Sequence, residues 1–305
     1  MLAVYRGHIE NYIDPRPKRV LAGSRRVPFE SGIGELKLAQ LTPGGVGLFR
    51  DRLRTAGLSV QTTRKVLSTL QVLLEFGRTS DLLANNPARG IQVIGRRDER
   101  ARRIQPPTKD TLKALLKSAD DDFRVIIMFA AATGARAGEL HALRWRSVDL
   151  VVGEVTFSTR VDAFGVEDGQ GAKTAAGNRT VPLGASVVVA LKSWRLRSSF
   201  SADDDLVFPN RRGGYDSHDN MIKRRFMPLL DDGRGAPGKL VGVTWHALRH
   251  FAISTWIDAG LSPKTVQTFA GHSSLAVTMD RYGHLFPSDD HKAAMDDIAK
   301  GLFGH

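Results

Sequence analysis

Between Gly95 and Pro107 the chain reads GRRDERARRIQPP, with five arginines, few apolar residues and a double proline. Such a stretch has little to bury, and its prolines remove backbone donors, so neither a core helix nor a core strand can pass through it. It marks a linker. The chain is therefore expected to fold as two units, residues 1–94 and 108–305, joined by a basic linker over 95–107. Its 305 residues are enough to give each unit its own core. Charge divides at the same place: residues 1–107 hold 19 Lys+Arg against 9 Asp+Glu, whereas the remainder holds 25 against 23. Nearly all of the net +12 thus sits in the first third. A basic surface can simply aid solubility, but a field this concentrated suits a polyanion, and nucleic acid fits best.

The first unit reads as a small helical bundle. Thr42 is placed to cap a helix with Pro43 at its first position; Val46, Phe49 and Leu53 recur at helical spacing, and Gly57 ends it. Gly44, Gly45 and Gly47 are poor helix formers and predict an irregular first turn. Thr62 and Thr63 open a second helix carrying Val66, Leu67, Leu70, Val72, Leu73 and Leu74, and Asn85-Asn86-Pro87 closes the region. Beyond the linker, Thr108 caps a helix with Leu112, Leu115 and Leu116. The apolar run from Phe123 to Ala132 predicts a buried helix ending at Thr133-Gly134, followed by a short one from Glu139 to Trp145.

Residues 151–183 change character: Val155, Phe157, Val161, Thr180 and Val181 among glycines predict a small antiparallel sheet. Helices resume at Ser186, then over Trp245–Ala259, from Ser262-Pro263, from Ser273-Ser274 to Tyr282, and as an amphipathic tail from Asp289 to Leu302. The expected fold class is mainly α with a small antiparallel β-sheet in the second unit (α+β). No apolar run approaches the roughly 18 to 20 residues of a membrane span, and MLAVYRGHIENYIDPR is not built like a signal peptide. The absence of cysteine excludes disulfides, thiol catalysis and cysteine-ligated zinc, and is compatible with a cytoplasmic protein.

Chemistry concentrates in a few positions. Arg136 stands in TGARAGEL (133–140), His246 and Arg249 in HALRH (246–250), His272 in GHSS (271–274) and Tyr282 in RYGH (281–284). Guanidinium groups match the paired non-bridging oxygens of a phosphodiester and stay charged at working pH. Arg136 follows a Thr-Gly turn and opens a helix, where backbone N–H groups add to its field; the bland alternative is a same-turn salt bridge with Glu139. His246 and Arg249, three apart, share a helix face; His246 suits either accepting a proton from an attacking hydroxyl or holding a phosphate oxygen. His250 is expected to be a packed, hydrogen-bonded support. Tyr282 is the candidate nucleophile, and since only about one phenol in a thousand is ionised at pH 7, it needs nearby cations and a base. No metal-ligand set and no phosphate-binding glycine loop emerge; the arginines occupy the place where a metal would stabilise charge.

Together these motifs resemble the tyrosine recombinases, the phage integrase family, over about residues 35–287. The order L-T-P, F-R-D-R-L, T-T-R-K-V-L and N-N-P-A in the first unit also resembles that family's core-binding domain. The resemblance implies a two-domain clamp on double-stranded DNA: a core-binding domain over 1–94 and a catalytic domain over 108–305. It further implies site-specific recombination through a 3′-phosphotyrosine and a Holliday junction, with no cofactor. The implied catalytic set is Tyr282, Arg136, Lys173, His246, Arg249 and His272. In this set Lys173, on a hairpin, protonates the leaving 5′ oxygen and His272 donates to the phosphate.

A homo-tetramer on DNA is implied, with DNA-bending or excision factors as partners and the tail after Tyr282 packing on a neighbour. Two departures stand out: Ala270 replaces the usual leucine before Gly271-His272, and the start of the chain resembles the middle of the family's first helix, as if truncated. A non-catalytic DNA-binding relic, a chromosome-dimer-resolving recombinase and a DNA-relaxing topoisomerase are the alternative readings.

Overall fold

A computed structural model of the chain describes residues 2–15, 29–95, 99, 105–161, 177–230, 240, 243–286 and 291–303. It divides into two compact units, Met1–Arg102 and Arg103–His305.

In the first unit, helix α1 (Leu2–His8) runs into a π-helical turn, and α2 (Pro43–Thr55) and α3 (Val60–Thr79) follow. The glycines do not disturb the start of α2. The Thr42 hydroxyl accepts the Gly45 N–H at 3.1 Å, satisfying one of the free donors that a helix start leaves. Helix α3 begins earlier than its threonines suggest, because Ser59 caps it by accepting the Thr62 N–H at 3.1 Å. Its buried stripe is Thr63, Val66, Leu67, Leu70 and Leu74. Val72 and Leu73, expected on that stripe, are exposed; Val72 is two residues, about 200° of turn, from both Leu70 and Leu74, and Leu73 falls at the edge of their face. Phe49, Leu53 and Val66, fully buried, centre this core.

The second unit is also mostly helical: α4 (Lys109–Ser118), α5 (Asp121–Thr133), α6 (Ala137–Ala142), α7 (Ala185–Arg197), α8 (His218–Met221), α9 (Met227–Leu230), α10 (Trp245–Asp258), α11 (Pro263–Ala270), α12 (Leu275–Tyr282) and α13 (His291–Phe303). Thr108 and Asp120 cap α4 and α5 through Thr111 and Phe123 N–H groups. Helix α5 is buried nearly all round, as its unbroken apolar run predicts, and it packs against both α7 and α10. Its Phe129 meets Phe208 at 5.4 Å and Phe157 at 6.3 Å between ring centres, knitting helix to sheet.

Strands β1 (Val148–Asp149), β2 (Glu154–Phe157) and β3 (Arg179–Pro182) pair antiparallel in that order, with Val155 opposite Val181 and Phe157 opposite Arg179. Val155, Phe157 and Val181 face the core. Helix α6 stops at Ala142 rather than reaching Trp145, because Leu143 turns extended and Trp145–Ser147 form a separate 3-10 turn. A smaller cluster of Ile253, Ile257, Val266, Ala270 and Tyr282 holds α10, α11 and α12 together. On α13, Met295, Ile298 and Leu302 are exposed. Among the described residues no helix is long and apolar enough to cross a membrane.

Candidate active site

Two sharp turns deliver the cations. Helix α5 ends at Gly134 in the left-handed region (φ 60°), where a side chain would be strained and would press on Trp256 and Ala252 at 3.2 and 3.3 Å. The chain therefore reverses at once and sets Arg136 at the start of α6. There the Arg136 N–H donates to Glu139 Oε2 at 2.8 Å, and its Nη1 donates to Glu139 Oε1 at 2.7 Å. The same-turn salt bridge thus exists. It does not exhaust Arg136, whose Nη2 donates to the Gly271 carbonyl at 2.6 Å and whose side chain stays 40% exposed. Gly138 lets the segment after β2 approach α6: a Cβ there would lie 2.5 Å from the Val161 carbonyl oxygen.

The second turn ends α11 at Gly271, again left-handed (φ 61°), and presents His272. Arg249, on the buried side of α10, reaches across to both turns. Its Nη1 donates to the Gly134 carbonyl at 2.6 Å and its Nη2 to the Ala270 carbonyl. Burial lowers the guanidinium to about 9, helped by the Arg136 charge, and it still carries its proton at neutral pH. Arg249 is thereby fixed by carbonyls on both turns, and Arg136 by the Gly271 carbonyl and Glu139. Each uses one N–H per terminal nitrogen, which leaves a second N–H on each for an oxyanion.

Arg179 is the site-building residue that sequence reasoning missed. It opens β3, is almost fully buried, and donates to both Glu139 oxygens at 2.9 and 2.7 Å and to the Phe269 carbonyl at 2.7 Å. Its guanidinium lies 4.5 Å above the Phe157 ring, its cross-strand neighbour. Burial alone would raise the Glu139 carboxyl, but the hydrogen bonds and charge of Arg179, with Arg136, hold it at about 2. Glu139 is thus a permanent anion between two arginines. A fully buried arginine demands such a partner, but a gap of forty residues hides the pairing from any local pattern.

The nucleophile candidate sits on the other side. Tyr282 ends α12 with its ring 1% exposed, and burial raises its phenol against the opposing charges of Arg249 and Arg281. Its hydroxyl lies 2.5 Å from His250 Nδ1, and its ring stacks on His272 with centres 6.2 Å apart. His272 is buried and its Nδ1 pairs with the Thr278 hydroxyl at 2.9 Å; burial and the Arg249 and Arg136 charges depress it to about 3. His250 is depressed to about 4 by burial, His246 and Arg249. His246, at the exposed edge of the site, is lowered by partial desolvation of its ring and then by Arg249, and meets the His250 ring edge-on at 4.8 Å. All three imidazoles are therefore neutral near pH 7.

Arg136, Arg249, His246, His272 and Tyr282 thus belong to one connected set, and His250, expected only as support, touches the phenol directly. Lys173 lies outside the described residues. Among the described residues no group of three or more His, Asp or Glu side chains is placed to hold a metal ion.

Comparison with known proteins gives three results. The family model described as the phage integrase family matches residues 107–289. Among curated relatives, the chain is 32% identical to tyrosine recombinase XerC of Xanthomonas axonopodis pv. citri, over 75% of this chain and 69% of that protein. It is 28% identical to prophage integrase IntR of Escherichia coli, over 78% of this chain but 61% of that protein, so it spans roughly two thirds of their length. Among solved structures, the Tn1549 transposon integrase in complex with a circular intermediate DNA matches with TM-score 0.69 and 18% identity, over 97% of this chain and 98% of that one. A lambda integrase tetramer bound to a Holliday junction matches with TM-score 0.58 and 16% identity, over 90% and 71%.

Proposed function

Because the chain belongs to the phage integrase family of tyrosine-type site-specific recombinases, we propose a residue-level course for its breakage and rejoining of DNA. The Tyr282 oxygen attacks the scissile phosphorus, the bond to the 5′ oxygen breaks, and a 3′-phosphotyrosine with a free 5′-hydroxyl results. Arg136 and Arg249 hold the two non-bridging oxygens with their outward N–H groups, where charge grows in the transition state. His272 supplies a further donor through its free ring nitrogen, and His246, at the exposed edge, contacts the phosphate or takes a proton. Lys173 protonates the leaving 5′ oxygen. The phosphotyrosine conserves the energy of the broken bond, so a 5′-hydroxyl from a partner strand reverses the step without any added energy source.

One observation carries this reading. The clamp arginines are anchored to Gly134, Ala270 and Gly271, and the last of these adjoins His272, on which Tyr282 stacks. Cations and phenol are therefore within one small volume, and Arg249 acts electrostatically on Tyr282. The basic first unit supports the rest: it grips duplex DNA through its phosphates, four copies meet at a junction of two duplexes, and bending or excision factors set direction. The site of action is the cytoplasm, where such DNA is found. The test is covalent capture. Incubation with a pool of nicked duplexes of random core sequence should yield protein–DNA adducts, and peptide mass spectrometry should find the nucleotide on Tyr282. Adducts on another residue, or tight binding with no adduct, would sink the assignment.

A further inference from the structure

His250 is one turn beyond His246 on α10, and among the described residues its Nδ1 is the hydrogen-bond partner of the Tyr282 hydroxyl, at 2.5 Å. His246 has no such contact; it faces the His250 ring edge-on from the exposed side. We propose that His250, rather than His246, accepts the phenol proton as Tyr282 attacks, and returns it when the phosphotyrosine is resolved. The proposal rests on Tyr282 being the nucleophile, and deepens that reading by naming its base.

The step balances simply. As the Tyr282 oxygen bonds to phosphorus, its proton passes to the lone pair on His250 Nδ1, giving an imidazolium, while the 5′ oxygen leaves and is protonated separately. Resolution runs the same transfers backward. Geometry requires the tautomer with Nδ1 bare and the proton on Nε2, since a hydroxyl can donate only to an unprotonated nitrogen. The groups facing His250 favour its neutral ring over the imidazolium: His246 and Arg249 on its own helix and Arg281 on α12 penalise a resting positive charge, while the Tyr282 hydroxyl faces Nδ1.

A base this weak would not ionise a buried phenol by itself, and that is a useful property. In the free protein the pair stays neutral and inert. A bound phosphodiester brings negative charge to the cations that oppose the imidazolium, so the base strengthens when its substrate is present. His246, released from the base role, is left to the phosphate.

The experiment uses the full-length protein and a duplex recovered by covalent capture, remade with sulfur in place of the bridging 5′ oxygen. A thiolate leaves without a proton, so the rate reports nucleophile activation and not Lys173. His250→Asn keeps a polar atom near the phenol but cannot take up its proton. At saturating DNA it should slow adduct formation by about 10²- to 10⁴-fold and abolish the acid limb of the pH–rate profile, with affinity unchanged. His246→Asn should keep that limb.

Adduct formation by His250→Asn at the wild-type rate with an unchanged profile would overturn the proposal, while the nucleophile assignment would stand. Conversely, adducts formed by Tyr282→Phe would sink the nucleophile and with it any role for His250. Should His250→Asn fail to fold, nitrogen NMR of the imidazoles in wild type and Tyr282→Phe decides: the His250 Nδ1 resonance must move when the hydroxyl is removed. An unmoved resonance, or a proton on Nδ1 in the free wild type, refutes it.

Discussion

The two sides of the site are built on opposite principles. On the arginine side every guanidinium is anchored by hydrogen bonds: Arg179 and Arg136 share Glu139, and Arg249 lies between two backbone carbonyls. On the tyrosine side the phenol and the imidazoles of His250 and His272 are kept neutral by burial, the phenol raised and the imidazoles lowered. The first arrangement gives a rigid clamp whose charge is constant through neutral pH. The second gives groups that move protons only when something alters their surroundings. A phosphate entering between the two would supply that change.

The sharpest way to break the comparison is Tyr282→Phe. It should abolish covalent adduct while leaving DNA affinity in gel-shift titrations nearly unchanged, because a single hydroxyl on the neutral side contributes little to phosphate binding. Next in size is Arg179→Met, which removes the buried partner of Glu139 and leaves that carboxylate to Arg136 alone. Urea unfolding should show a loss of about 3–5 kcal/mol, and the double change with Glu139→Leu should recover much of it. If Arg179→Met is as stable as wild type, the arginine side is not held by these hydrogen bonds.

Arg249→Lys tests the clamp itself. It keeps the charge but cannot span Gly134 and Ala270, and should raise the barrier to cleavage by about 2.7–4 kcal/mol, the loss of one preorganised donor, in single-turnover assays.

Acid tests the buried neutral imidazoles, one of them on the tyrosine side. Buried His141, at about 4, and His272, at about 3, resist protonation in the native state, whereas unfolded histidine takes a proton near 6.5. Between those values the unfolded chain binds more protons, so stability falls as pH drops from about 6.5 through 4. Glu139 extends the loss below its unfolded value, since its stabilising ionised form is given up only near 2. Thermal melts at stepped pH should show this decline, and a flat profile would mean that these imidazoles are not buried neutral. The smallest effect is at the turn: Gly134→Ala should cost about 1–2 kcal/mol for the left-handed backbone, read by the same urea titration, with some further loss from crowding Trp256.

How much of this was legible beforehand varies with the range of the interaction. Thr108, Ser262 and Ser274 cap their helices as their positions suggest, and the α5 apolar run is buried, because capping and periodicity act over a few residues. Boundaries slipped where a nearer residue competed, as Ser59 did with Thr62. Val72 and Leu73 were misplaced because an apolar side chain does not say which face has a partner. Within the site, Arg136, Arg249, His272 and Tyr282 were visible through their motifs. Arg179 and the bond between His250 and Tyr282 were not, since each joins residues more than thirty positions apart.

By itself the sequence determined the kinds of group present: guanidiniums, imidazoles, a phenol and no thiol, on helices whose ends it also marks. Only the tertiary structure decided what state each group is in, namely which arginine shares a carboxylate, which histidine meets the phenol and which nitrogens stay unprotonated. The reason is physical. Residue identity fixes what a side chain can donate or accept, but desolvation and neighbouring charge fix what it does, and both arise from distant segments brought together by folding.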